Sequence, residues 1–432
     1  MQHWLERIGM PPQLALGYLG VVIFMMGDGL EAAWLQDYLV NNGLSPTQAA
    51  WIFTGYGLTV AIGSWFSGVL TEALGPIRTM LAGALLFVLG TVLFIPVLAS
   101  GASFHLLLLT YPLRGFAYPM FAYSFLVVVA QVAPQKRLGA AVGWFWFCFT
   151  GGYFVLGAQY SDLALSVFHI EPIPLLWTGL IFISTGAAVA IYSFVRTQRR
   201  HPEARHAGRF NRSAMLKGLT IAFEKPKIGL GGIARIINTV STYGFIAFMP
   251  SYMQQEIGYS QSEWLQIWGM LFFSNIVANL VMGVAGDRIG WRPTIMWGGG
   301  FLSMIAVLGF YYLPALTGSF WVAMSMSILL GVGLAGFVPL SALMPSLAPE
   351  HKGAAISILN LGAGLSAFVG TGIVGLLLES VGIEGIIWVF AALYAASIVL
   401  VYFMKFENAV QNRTSAADGQ HVGPTPPSSV PH

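Results

Sequence analysis

Basic residues fall along this chain in a pattern that few folds tolerate. Of its 20 Lys and Arg, all but Arg114 and Arg235 lie in polar segments at the start, at the end, or after every second long apolar stretch. None lies in the intervening connections. Lys and Arg beside membrane spans are retained on the cytoplasmic side, so the alternation predicts an even number of spans with both termini cytoplasmic. Only 9% of residues are charged and 56% are hydrophobic, against about 25% charged in a soluble domain. The solvent for most of that surface must be lipid, which excludes a soluble multi-domain enzyme.

A helix needs about 20 apolar residues to cross the hydrocarbon. Twelve segments qualify, near 14–40, 47–70, 78–99, 104–132, 138–160, 173–195, 227–254, 261–284, 292–313, 319–347, 352–378 and 384–405. Arg7 precedes the first span. Arg78 follows the second, Lys136 and Arg137 the fourth, and a run from Arg196 to Lys227 the sixth. Arg288 and Arg292 follow the eighth, Lys352 the tenth, and Lys405 and Arg413 close the chain. One span more or fewer would invert half of these positions. The start, MQHWLERIGMPPQ, lacks the apolar core and small-residue cleavage site of a signal peptide, so the first span is expected to remain as an anchor in the inner (plasma) membrane.

The longest polar segment, 196–226, reads as a cytoplasmic linker between a six-helix half at 1–195 and another at 227–406. The tail, 407–432, is polar and Pro-rich and is expected to be disordered. The halves echo each other at an offset of 215 residues: Gly43 and Ser45 with Gly258 and Ser260, Gly68 with Gly283, Ala133-Pro134 with Ala348-Pro349. The expected fold is an all-α membrane protein of twelve transmembrane helices. Its two six-helix halves would be related by pseudo-two-fold symmetry, a transporter architecture with the site between them.

Two equivalent connections carry the strongest motif. Gly68-x-x-x-Glu72-x-x-Gly75-x-x-Arg78 follows span 2, and Gly283-x-x-x-Asp287-Arg288-x-Gly290-Trp291-Arg292 follows span 8. Glycines allow close helix approach and a tight turn. The acid can cap a neighbouring helix N-terminus or pair with a cation across the halves. One copy alone reads equally as a solvated turn; two at a fixed offset do not. The pair resembles the loop signature of the major facilitator superfamily, with Glu72 in place of Asp and one basic residue fewer in the first copy.

Charges inside spans point to the site, because an intramembrane ion is rarely kept without a use. Asp28 and Glu31, in span 1, are three residues apart and share a helix face. Asp28 lies roughly 20 Å from the inner end at about 1.5 Å per residue, a depth similar to that of Arg114 in span 4. An acid subject both to burial and to a nearby cation can take a proton on one side and release it on the other; a purely structural ion pair is the alternative. Arg235 enters span 7 from the inside. Amides at Asn238, Asn275, Asn279, Asn360 and Gln266 offer donors and acceptors suited to hydroxyl-rich ligands. Trp144, Trp146, Tyr118, Tyr123, Tyr153, Trp264 and Trp268 could present flat faces to C–H surfaces, or could equally serve packing and the interfacial belt. His105, His169 and Cys148 have no partners at metal-ligand spacing. No metal, cofactor or nucleic-acid partner is expected, and no nucleophile–base constellation indicates an enzyme.

The chain resembles the polyol permease group of the major facilitator superfamily over all twelve spans. The resemblance is strongest in FMMGDGLE (24–31), RGFAYPMFAYSF (114–125), GWFWF (143–147), RIINT (235–239), SEWLQIW (262–268) and HKGAAISILN (351–360). It implies proton-coupled symport of a pentitol, D-arabinitol or ribitol, by a functional monomer. In related sugar–proton symporters a span-1 Asp paired with a span-4 Arg carries the coupling, and Asp28 and Arg114 match those positions. Arg235 and Asn238 would orient ligand hydroxyls, with Asn275, Asn279 and Asn360 as further contacts. An organic acid such as 2-oxoglutarate is the rival ligand. Because Asp28 and Glu31 balance Arg114 and Arg235 in number, the sequence favours a neutral one. A non-transporting membrane sensor is the rival from another class, and loop signatures in both halves argue against it.

Overall fold

The computed structural model describes residues 2–31, 34–35, 38–39, 42–44, 46–101, 103–200 and 220–405. Most of the expected linker (201–219) and the tail from 406 onward lie outside the described residues. The helices before the linker are α1 (Ala15–Gly29), α2 (Pro46–Leu74), α3 (Pro76–Ala99), α4 (Pro112–Val132), α5 (beginning Leu138–Thr150) and α6 (Pro172–Arg200). After it come α7 (Pro226–Ser251), α8 (Gln261–Ile289), α9 (ending in Leu302–Thr317) and α10 (Phe320–Ala335, continued by Leu340–Leu347). The last two are α11 (Pro349–Leu378) and α12 (Ser380–Phe403). Among the described residues, 10 helices are long and apolar enough to cross a membrane. Helices α1 and α7 fill the other two expected positions; α7 is less apolar because it carries Lys227, Arg235 and Asn238.

Local chemistry sets the helix ends. Helices α2, α3, α4, α6 and α7 each open on a proline, whose fixed φ suits the first turn and whose missing N–H would be unpaired there anyway. A capping box opens α8: Ser260 accepts from the Glu263 N–H, and the Glu263 side chain accepts from the Ser260 N–H. Helices α11 and α12 meet at a kink at Gly382, whose φ of 68° is open to glycine and strained for other residues.

Packing separates a lipid face from a protein face on each helix. On α3, Leu81, Leu85, Leu89 and Leu93 recur every four residues and are 44–60% exposed, whereas Met80, Phe87 and Phe94 are buried. In water such a stripe would be a liability; in hydrocarbon it costs nothing. One buried core is built from residues between Ile221 and Met404, and a second mostly from α1 and α3 to α6, where Phe24 stacks on Phe121 at 4.0 Å. The cleft between these two cores positions the site.

Candidate functional site

The two loop acids tie the halves together. Glu72, at the end of α2, accepts from the Ala354 N–H in the first turns of α11 (2.9 Å), and its other oxygen meets His351 Nδ1 at 2.8 Å. Asp287, at the end of α8, accepts from the Gly139 and Ala140 N–H groups of α5, both at 2.8 Å, and from Trp291 Nε1 at 3.0 Å. Each acid caps a helix of the other half, where unpaired N–H groups and the helix dipole favour an anion. Both acids form caps, and Glu72 in addition meets a titratable group of the other half, His351. Gly75 (φ 87°) and Gly290 (φ 108°) make the turns that follow. Gly68 and Gly283 admit the opposing backbone: a Cβ at Gly283 would sit 2.5 Å from the Gly139 carbonyl oxygen.

The seam continues through Gln135 Nε2 to Ser346 Oγ at 2.9 Å and Lys352 Nζ to the Ala130 carbonyl at 3.3 Å. Arg78 and Arg288 are exposed on this side. Arg292 instead donates to the Val401 carbonyl (3.2 Å) and to that of Tyr402, closing the end of α12. Replacing Glu72 or Asp287 with Ala removes a charge-assisted cap of about 1–2 kcal/mol. A cysteine placed at Ser346 should then react with a membrane-impermeant thiol reagent about 5–30-fold faster; unchanged labelling would remove these acids from the latch.

Beyond the seam the halves part around a cavity of ≈430 Å³, within the range of about 300–1,000 Å³ usual for small-ligand sites. Arg235, Asn238, Asn275 and Asn279 line it from one half, and Tyr118 and Tyr123 from the other. Arg235 lies over the Trp146 ring, with the guanidinium carbon 5.1 Å from its centroid. The Asn238 amide satisfies both of its neighbours when its oxygen accepts from Arg235 and its nitrogen donates to the Leu334 carbonyl (3.1 Å). Trp146 Nε1 donates to Ser341 Oγ of α10 at 3.1 Å. Among the described residues, no Asp or Glu lines the cavity. Arg235 is therefore a cation held in place by a ring and an amide, with no carboxylate lining its cavity.

Breaks in helices shape this wall. Helix α5 passes into a π-helical segment at Gly151–Gly157, which turns Tyr153 and Phe154 to the cavity; π-bulges recur at functional sites. Helix α10 leaves helical hydrogen bonding at 336–339, where Phe337 and Val338 join the lining. Tyr56, Thr239, Thr242 and Tyr243 also line the cavity, though none was expected there. The α7 group was legible in principle: 235, 238, 239, 242 and 243 follow the helical period on one face.

Four residues expected at the ligand stand elsewhere. Trp144 is two positions from Trp146, hence on another face of α5, and its Nε1 donates to the Ile8 carbonyl (2.9 Å). Trp268 stacks on Trp264 at 5.3 Å, and Gln266 is exposed, both nearer the start of α8 than the lining residues Phe272, Asn275 and Asn279. Asn360 is fully buried one turn closer to the seam, where it donates to Ser67 Oγ at 3.2 Å and ties α11 to α2.

The span-1 acids also divide differently. Glu31, not Asp28, pairs with Arg114, at 2.6 Å. Glu31 lies one turn further along, level with Arg114, and its longer side chain reaches it. Aromatic rings enclose the cation: Phe87, Phe94 and Tyr111 centroids lie 4.8, 5.7 and 5.5 Å from its guanidinium carbon. Asp28 Oδ1 accepts from the Tyr56 hydroxyl at 3.1 Å, and its Oδ2 is buried without a partner among the described residues. Both acids thus sit with Arg114 around α1 and α4, and neither balances Arg235 inside the cavity.

A sequence profile described as Major Facilitator Superfamily matches residues 17–335 and 231–430. The chain belongs to the major facilitator superfamily. It is 37% identical to a D-arabinitol transporter of Klebsiella pneumoniae, covering 93% of this chain and 94% of the relative. A ribitol transporter of the same organism is 36% identical, with 92% and 93% covered. These similarities place the chain in the polyol permease group. An alpha-ketoglutarate permease of Bacillus subtilis is 47% identical over 93% of this chain and 91% of the relative. The fold is shared with a bacterial homologue of the iron transporter ferroportin solved in an outward-facing state (TM-score 0.75, 13% identity, 91% of this chain and 99% of that one). The chain is a multi-pass membrane transporter of a small molecule and not an enzyme.

Proposed function

We propose that this superfamily member is a proton-coupled symporter for a small hydroxyl- or carbonyl-bearing organic acid, working by alternating access between its halves. Arg235 carries the reading. A half-buried cation facing a cavity with no acidic residue among its described lining is complementary to a ligand carboxylate, for which the planar guanidinium supplies two parallel donors. Asn238, Asn275, Asn279 and the tyrosine hydroxyls serve the remaining oxygens. The count of charges favoured a neutral ligand; their placement reverses that preference. The relative named for alpha-ketoglutarate fits the same ligand class.

Asp28 is the proton site in this scheme, because it is buried, bonded by one hydroxyl, and free of the Arg114 ion pair. Arg114 and Glu31 form the charged frame beside it. The seam at Glu72 and Asp287 opens and closes as the halves rock about a central site. Positive-inside placement supports a seam and termini on the cytoplasmic side of an inner (plasma) membrane, and a cavity lined by one chain supports action as a monomer.

Pentitol transport is the second reading, supported by the relatives named for D-arabinitol and ribitol and by the amide-rich wall. Thermal stabilisation of the purified protein by 2-oxoglutarate, a pentonate, D-arabinitol, ribitol and xylitol separates the two. The acids are expected to raise the melting temperature in proportion to RT ln(1 + [L]/Kd). Stabilisation by pentitols alone would reject the carboxylate and leave the second reading.

A further inference from the structure

Tyr56 stands between the acid of span 1 and the cavity. Its side chain lines the cavity, while its hydroxyl donates to Asp28 Oδ1, which is not part of the lining. Its ring is held against Tyr111 (centroids 4.9 Å apart) and Tyr118 (6.5 Å), and Thr59, one turn on, fixes α2 to α4 by donating to the Pro112 carbonyl at 2.7 Å. The ring is thus pinned while the hydroxyl hydrogen keeps its freedom to rotate.

A phenol has one proton to give. While Asp28 is ionised, a charge-assisted bond holds that proton on the acid side. Once Asp28 is protonated it becomes a weaker acceptor and itself a donor. The Asp28 O–H then points to the Tyr56 oxygen, and the Tyr56 O–H is released toward a ligand oxygen in the cavity. No proton passes through the phenol: the transported proton stays on Asp28, and only the hydrogen bonds reverse direction.

We propose that Tyr56 is the positioning residue that links protonation of Asp28 to occupancy of the ligand cavity. This rests on the proton-coupled reading above. By reciprocity, the ligand then raises the proton affinity of Asp28 by the same factor by which the proton raises ligand affinity. The charged and titratable groups that face Asp28 are Glu31 on its own segment, Arg114, Tyr118 and Tyr123 from α4, and Tyr153 from α5. Helix α6 packs on this stretch of α1 with Gly179, Phe182 and Ile183 against Gly27. Glu31 is engaged by Arg114, which leaves Tyr56 as the donor that senses Asp28.

The test measures the affinity of the purified full-length chain for 2-oxoglutarate and for D-arabinitol across a pH series. A ligand that prefers the protonated form binds more tightly as pH falls, by up to about tenfold per pH unit. In Tyr56→Phe that slope should flatten, and affinity at low pH should fall about tenfold with the lost hydrogen bond, while exchange of labelled ligand persists. Asp28→Asn should flatten the slope as well, and the double variant should be as flat as Asp28→Asn alone. A sloped wild type with an equally sloped Tyr56→Phe variant overturns the inference by itself. A flat wild-type profile overturns it together with the proton-coupled reading.

Discussion

Arg235→Gln is expected to lower affinity for a carboxylate ligand by about 30–1,000-fold, the cost of truncating one partner of a buried charge pair. The fold should survive, because no described acid lining the cavity is left without its cation. Binding of a pentitol should weaken far less, by roughly tenfold, as expected for one hydrogen bond among several. Arg235→Lys keeps the charge and loses the fork that also stacks on Trp146, so it should fall between the two. Isothermal titration with 2-oxoglutarate and D-arabinitol reads both ligand classes. Equal losses for the acid and the polyol would mean that Arg235 holds the wall rather than the ligand.

Asp28 and Glu31, one turn apart, should fail in different ways. Asp28→Asn removes an acid that holds no ion pair, so the protein should fold, exchange labelled ligand across the membrane, and lose all accumulation driven by a proton gradient. Glu31→Gln strips Arg114 of its partner at 2.6 Å. Breaking a buried pair from one side costs about 3–5 kcal/mol, so this variant should show a lower melting temperature and poor yield. If Asp28→Asn still concentrates ligand normally while a folded Glu31→Gln does not, the proton roles of the two acids are exchanged.

The sequence announced the architecture because lipid imposes simple rules. Apolar length and the placement of Lys and Arg marked the helices, and the 215-residue offset marked the equivalent loops at Glu72 and Asp287. Capping by those acids was one of two roles left open, since an acid at a helix end can equally pair with a cation across the halves. The partner of Arg114 was not legible. Asp28 and Glu31 share one face, and a spacing of three cannot say which of them stands level with a residue on another helix. Nor could counting charges reveal that both acids gather around Arg114 and leave Arg235 facing the cavity. Similarly, Trp144 and Trp146 are indistinguishable by composition, yet the helical period turns one to the N-terminal segment and the other under Arg235.

A proton and an organic acid are expected to cross together on this chain. The most direct measurement is accumulation of labelled 2-oxoglutarate in vesicles containing the purified protein under an imposed inward proton gradient. Accumulation above the external concentration, collapsed by a protonophore and absent in Asp28→Asn, is the expected result. Uptake that only equilibrates the label, with or without the gradient, would contradict it.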